Sequence, residues 1–379
     1  MGASRRACRA VFVAAVLCAG APAGASVQVD PVARLSLEGG YDSNVLYNGQ
    51  GGDSAGRVSP ELGLHLRDHT WKLNLDAGGD LLMYPQRNND SFVWNQRGRV
   101  LLHARATERL TFDTDVSGTY AFDPIGLARL GIFNASGGAA LVTNGKLRGE
   151  WRASPTWNVA GLFEEHLVRF DNATGAASHS PGVEATRRIG PRVEVGGVYK
   201  FDFFQGFGAG AQDAVAHEAA ALVRYRAGRR LTLEASAGPA VWSGTTGGTS
   251  VLPEAMVQVL AAWRGGGARL SVRHGVGLGL TATPGLFDAL EAGVMTRLGR
   301  SFEIHADGGL WRSGDIPWGS NSVLGYGIDT SFDYRIQREM LIGVGASRYA
   351  RLDVSASQYD RYILGLHVTW ELSHRRGEP

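Results

Sequence analysis

The chain has 379 residues, 38 basic and 36 acidic side chains, a formal charge of +2 and 53 glycines. Such a balance leaves no basic footprint for nucleic acid, and after the N-terminal segment no apolar run reaches the roughly 18 residues of a membrane-spanning helix. The two cysteines, Cys8 and Cys18, both lie in that segment, so the rest of the chain has neither a disulfide staple nor thiol chemistry.

Residues 1–25 read as a secretory signal peptide: Arg5, Arg6 and Arg9 form a basic start, Val11 to Ala21 an apolar run, and Ala23-Gly24-Ala25 a small-residue cleavage pattern. Its removal takes the formal charge from +2 to about −1. Residues 26–379 then read as one domain. Its first landmark is GGYDSNV, residues 39–45, which admits a metal loop, a catalytic turn or the end of a strand. The flanking pattern selects the last. Leu35, Leu37, Gly39 and Tyr41 fall on one phase of a strand, and Asp42, Ser43 and Asn44 leave it with side chains that bond to nearby backbone. An Asp/Asn triplet with no downstream Glu is poor evidence for calcium.

Alternation with period two continues down the chain. In residues 71–83, Trp71, Leu73, Leu75, Ala77, Gly79, Leu81 and Met83 alternate with Lys72, Asn74, Asp76, Gly78 and Asp80. In 111–122, Phe112, Thr114, Val116, Gly118, Tyr120 and Phe122 oppose Asp113, Asp115, Ser117 and Thr119. In 193–203, Val195, Tyr199 and Phe201 oppose Glu194, Lys200 and Asp202. Runs this long exceed the usual strand of about 5–6 residues and match tilted membrane strands of about 9–11 or more. Tight links such as 107–109, 190–191 and 265–267 alternate with longer Gly/Asn/Asp-rich links such as 43–56, 123–133 and 171–177. The pattern predicts an all-β fold: a transmembrane antiparallel up-and-down β-barrel of about 18 strands between Val32 and Leu372, with a short polar tail, 373–379. An even count puts both termini at the short-turn, periplasmic rim. Aromatics are expected in two belts: Trp71, Trp151, Trp157, Tyr225, Trp263, Phe302, Tyr334 and Trp370 near the short turns, and Tyr41, Tyr84, Trp94, Tyr120, Phe170, Phe203, Trp242 and Tyr349 near the loops.

The inward phase carries both signs of charge. Pore-lining candidates are Lys72, Asp76, Asp80, Arg97, Arg99, Asp113, Asp115, Arg148, Glu150, Glu194, Lys200, Asp202, Asp329, Asp333 and Arg335. Asp76, Asp80, Asp113 and Asp115, with Arg97 and Arg99 on the strand between, form either a constriction that orients solutes or a salt-bridged wall. The link 123–134, DPIGLARLGIFN, is apolar for a loop, and Pro124, Ile125, Leu127, Arg129, Leu130 and Phe133 are expected to fold into the barrel or to dock a partner. The histidines His65, His103, His166, His217, His274, His305 and His367 sit on different predicted strands with neither catalytic motif nor metal-ligand spacing. No enzyme activity, metal or cofactor is expected.

On the signal peptide, the strand pattern over nearly the whole remaining chain and GGYDSNV closing the first strand, the protein resembles porin-type outer-membrane β-barrels, among them Gly-rich barrels that export exopolysaccharide. The resemblance implies an outer-membrane conduit for hydrophilic solutes or an exported polysaccharide. Its partners would be outer-membrane lipid, the barrel-assembly machinery during insertion, and periplasmic export proteins with their polysaccharide. The reading from a different class is a structural or assembly barrel of an envelope complex, with a closed lumen.

Overall fold

A computed structural model describes residues 27–44, 51–85, 92–122, 139–208, 211–244, 248–279, 283–314, 316, 322–352 and 360–373. Residues 1–25, read as a signal peptide, lie outside the described residues, as do the tail from 374 onward and the expected constriction residues Pro124, Ile125, Leu127, Arg129, Leu130 and Phe133.

Alternating sequences of 12–15 residues form the strands β1 (Gln28–Asp42), β2 (Asp53–Arg67), β3 (Trp71–Met83), β4 (Phe92–Arg105), β5 (Leu110–Ala121), β6 (Ala140–Arg152), β7 (Trp157–Phe170), β8 (Gly175–Arg188) and β9 (Val193–Phe207). They continue with β10 (Ala214–Ala227), β11 (Leu231–Gly244), β12 (Thr249–Trp263), β13 (Gly266–Leu278), β14 (Pro284–Leu298), β15 (Phe302–Gly314), β16 (Val323–Gln337), β17 (Met340–Arg351) and β18 (Asp360–Ser373). Each pairs antiparallel with its neighbours in sequence, and β1 pairs with both β2 and β18, so the 18 strands close into a ring. Closure gives every strand a hydrogen-bonded neighbour on both sides for at least part of its length, the condition a sheet must approach to cross lipid.

Links at one rim have two to four residues; Gly228 and Gly299 take φ of 77° and 71° there, a left-handed backbone open to glycine without steric cost. At the other rim one expectation fails. Residues 171–177 were expected as a longer loop, but the turn ends at Thr174, and Ala176 and Ala177 pair with Val168 and Leu167. Small residues read as loop in sequence, yet here both alanines are buried in the strand ladder, Ala176 on the inward phase and Ala177 on the outward.

Faces follow the alternation. Leu35, Leu37 and Tyr41 on β1, Phe112 and Val116 on β5, and Leu364 and Leu366 on β18 are exposed on the outer surface. Carboxylates and guanidinium groups of the opposite phase point inward. The wall is not regular throughout: β16 shifts register between Arg335 and Gln337, and the β12–β13 seam is incomplete. β12 and β13 pair only from Ala255↔His274 to Trp263↔Gly266, and beyond His274 the described part of the β13–β14 tip, residues 275–279, bends into the lumen.

Candidate functional site

The lumen is built from inward-facing side chains, and most of its charges meet partners on the next strand or the one after. One chain of ion pairs runs Glu371–Arg34–Glu61–Arg97–Asp80–Arg57–Glu38, with distances between 2.7 and 3.6 Å. A second centres on buried Glu184, whose carboxylate accepts from Arg148 at 2.9 Å and from Arg224 at 2.7 Å. Arg148 continues to Glu150 and Arg224 to Glu234, so β6, β8, β10 and β11 are tied through one carboxylate.

The remaining candidates fall into smaller groups. Arg99 holds Asp115 in a two-point pair, Asp76 meets His65 at 3.0 Å, and Asp113 meets His103 at 2.6 Å. Of the four aspartates expected around Arg97 and Arg99, Asp80 pairs with Arg97 and Asp115 with Arg99, while Asp76 and Asp113 meet histidines. Glu194 lies between Arg188 and Arg226, and Lys200 reaches Glu164 at 3.5 Å. Asp329 accepts from Tyr349 and Ser347, Asp333 pairs with His367, and Arg335 with Glu303. Lys72 lines a lumenal cavity of about 920 Å³, together with Lys146, Glu218, Glu254, Arg269 and Arg273. Asp202 and Glu218, neighbours on β9 and β10, are buried, and each has one oxygen without a hydrogen-bond partner among the described residues.

Glycine makes two of these pairs possible. A Cβ on Gly343 would sit 2.1 Å from the Asp333 carboxylate, and one on Gly293 would sit 2.1 Å from that of Asp307. Asp333–His367 and Arg269–Asp307 each reach across an intervening strand, passing over the glycine.

The loop end of the lumen differs from the rest. Of the aromatics expected in the loop-side belt, Tyr41, Trp94 and Phe203 are exposed outward, with Tyr120 on the same outer phase. Tyr84, Phe170, Trp242 and Tyr349 are buried and point inward. The physical reason is phase. Depth along a strand places a ring near the rim, but odd or even position decides which face it takes. Phe204 and Trp242 pack with ring centroids 5.4 Å apart, and inward-facing Ala214, Ala216 and Ala240 complete their cluster. Into that cluster goes Val276 of the β13 tip, 1% exposed, while Gly279 lies against inward-facing Ser313 of β15. The element narrowing the outer lumen among the described residues is thus the β13–β14 tip. Its tell-tale in sequence, RHGVGLG, is a short apolar and glycine run that reads simply as more wall.

Asp42 has a role that the boundary reading of GGYDSNV lacks. Its backbone-bonding turn is present, with the Asn44 N–H donating to Asp42 Oδ1 at 3.1 Å. The same carboxylate also accepts from Arg361 Nε at 2.8 Å and from Arg361 Nη2, deep in the rim where Arg361 is 0% exposed. Tyr84 adds a hydroxyl to the group.

Apolar residues outside, charge inside and a closed ring of 18 strands are the arrangement of bacterial outer-membrane barrels. The chain is an outer-membrane β-barrel. No protein-family model matches it, and no curated protein sequence matches it. Among solved structures it is similar to OccAB2 of Acinetobacter baumannii, with 6% identity and a TM-score of 0.44 over 92% of this chain and 98% of that one. It is also similar to Pseudomonas aeruginosa OpdK, solved with vanillate, with 12% identity and a TM-score of 0.41 over 90% and 98%. Pseudomonas aeruginosa OpdQ gives 8% and 0.42 over 91% and 98%. At such identities and scores these likenesses lend no weight to function, which rests on the barrel's own geometry.

The histidines form no catalytic set among those described. Ser331 and His367 both meet Asp333, but the serine hydroxyl donates to the carboxylate and not to the imidazole, the reverse of a nucleophile–base pair.

Proposed function

We propose that this barrel is a pore that passes small hydrophilic solutes across the outer membrane. The observation that carries the reading is the polar lumenal cavity of about 920 Å³, lined by both signs of charge inside an apolar shell. A lumen needing no water would be filled by apolar side chains, since taking even a paired charge out of water costs several kcal/mol per ion before its partner offsets it. Mixed charge suits uncharged or weakly charged solutes such as sugars, because neither sign dominates the path. Export of a polysaccharide alongside periplasmic proteins is the narrower form of this reading. It stands on the resemblance of the sequence to export barrels.

A second reading draws on the in-folded β13–β14 tip, which occupies the outer lumen: a structural barrel of an envelope complex whose lumen stays shut. Swelling of liposomes loaded with the purified barrel separates the two. The pore reading expects swelling in isotonic monosaccharide, slower with larger sugars. A folded barrel that gives no swelling with any sugar favours the structural reading.

A further inference from the structure

β12 runs on to Thr249 and β13 to Leu278, yet their pairing stops at Ala255↔His274. Residues Thr249–Glu254 keep partners on β11 and, among the described residues, have none on their other edge. At about 3.3 Å per residue that is roughly 20 Å of open strand edge, and an open edge is a template for another strand. Val251, on the outward phase of this segment, is 70% exposed.

The missing partner is already in the chain. Continuing the register past Ala255↔His274 brings Glu254 to Gly275, Pro253 to Val276, Leu252 to Gly277 and Val251 to Leu278. The faces agree: Val276 and Leu278 would join Val251 and Pro253 on the outside, while Gly275 and Gly277 would join Glu254 and Leu252 inside. Aliphatic out and glycine in is the alternation of a wall strand. A permanent plug has no use for it, since protein meets both of its faces.

The bend itself is local. The Arg273 guanidinium donates to the Val276 carbonyl at 3.0 Å, and His274 and Asp288 pair at 2.5 Å on the outward phase at the foot of the tip. Pro253 brings no N–H to the ladder, so a re-formed seam would be weaker there than a full one.

We propose that residues 275–279 are a gate with two seats: the lumenal seat on Phe204 and Trp242 seen in the structure, and a wall seat zipped onto Thr249–Glu254 in the continued register. Moving to the wall seat takes Val276 out of the lumen, widens the outer mouth and uncovers Glu254, against which Gly275 now lies. The gate rests on the pore reading and adds to it the element that moves.

The chain beyond residue 25 has no cysteine, so paired cysteines report on each seat. Leu252→Cys with Gly277→Cys marks the wall seat; a Cβ at Gly277 meets only ordinary contacts in the lumenal seat, the nearest at 3.6 Å. Gly279→Cys with Ser313→Cys marks the lumenal seat, where a Gly279 Cβ would lie 2.6 Å from that of Ser313 and a small shift reaches disulfide spacing. Each full-length barrel is oxidised in a bilayer, its cross-link scored by mass spectrometry and its conductance read before and after reduction, so that every molecule is its own folding control. The gate expects both pairs to cross-link, with conductance raised at least twofold by the 252–277 bond and lowered at least twofold by the 279–313 bond. It is overturned if the 252–277 pair fails to cross-link while 279–313 does. It is equally overturned if both form in a conducting barrel without changing conductance. A barrel silent in every state counts against the pore reading instead, and the cross-links still report whether the second seat exists.

Discussion

The barrel has two seams that ought to be equivalent. At the seam between β1 and β18 the ends of the sheet meet, and pairing runs unbroken from Val32↔Ser373 to Asp42↔Ile363. At the seam between β12 and β13, neighbours in sequence, pairing covers only the short-turn half. Sequence distance therefore does not decide which seam is complete. The rim chemistry does. The first seam is pinned at its loop end by the buried Arg361–Asp42 pair, with Tyr84 beside it and the Ser43 hydroxyl accepting from the Tyr362 N–H at 2.9 Å. Among the described residues no buried ion pair holds the loop end of the second; instead an apolar patch on the inner wall offers Val276 a rival place to pack. A wall strand stays in the wall where polar groups hold it, and leaves where an aliphatic side chain gains more by going inside.

That contrast can be broken at either end. The largest effect is expected at the first seam: Arg361→Ala leaves Asp42 buried without its charge partner, for about 3–5 kcal/mol. The gel-shift temperature at which the barrel unfolds should fall markedly, and Arg361→Met combined with Asp42→Leu should recover most of the loss, as replacement of a buried pair by apolar groups often does. An unchanged unfolding temperature in Arg361→Ala would remove the pin from the account. Trp242→Ala comes next, at about 3 kcal/mol for a large buried aromatic. Here the loss should be local, seen as faster hydrogen exchange at 275–279 with β1 and β18 unaffected.

Gly343→Val sharpens the comparison at the middle of the wall. Its side chain enters the space of the Asp333–His367 pair, and overpacking of this kind costs about 1–3 kcal/mol. Denaturant titration should show the loss, with Gly343→Ala lying between Val and wild type. The smallest effect belongs to Arg99→Ala. Its pair with Asp115 is half exposed in the lumen, so stability should change by less than about 1 kcal/mol, and less still in high salt. A larger change would show that water does not fill that part of the lumen.

Much of this fold was legible in the sequence, because period-two alternation over 12–15 residues reports strand, length and face together. Asp113 and Asp115 inward with Phe112 and Val116 outward follow from parity alone. Parity is silent about depth and partner, and there the reading fell short. Tyr84, Phe170, Trp242 and Tyr349 were placed by their distance from the loops, and the structure turns them inward. Asp42 was read as a strand end, while its partner Arg361 lies 319 residues away, beyond any local pattern. The bend at Arg273 was invisible for a different reason: residues 275–279 carry a sound wall pattern, and tertiary packing overrides it. The constriction expected from Pro124, Ile125, Leu127, Arg129, Leu130 and Phe133 falls outside the described residues.

The most direct test of the pore itself is single-channel recording of the purified barrel in a planar bilayer, repeated with neutral polymers of graded size. The account predicts discrete conductance steps of reproducible size, reduced by small polymers that enter the lumen and untouched by large ones. A folded, inserted barrel that carries no current, with or without polymer, would contradict it.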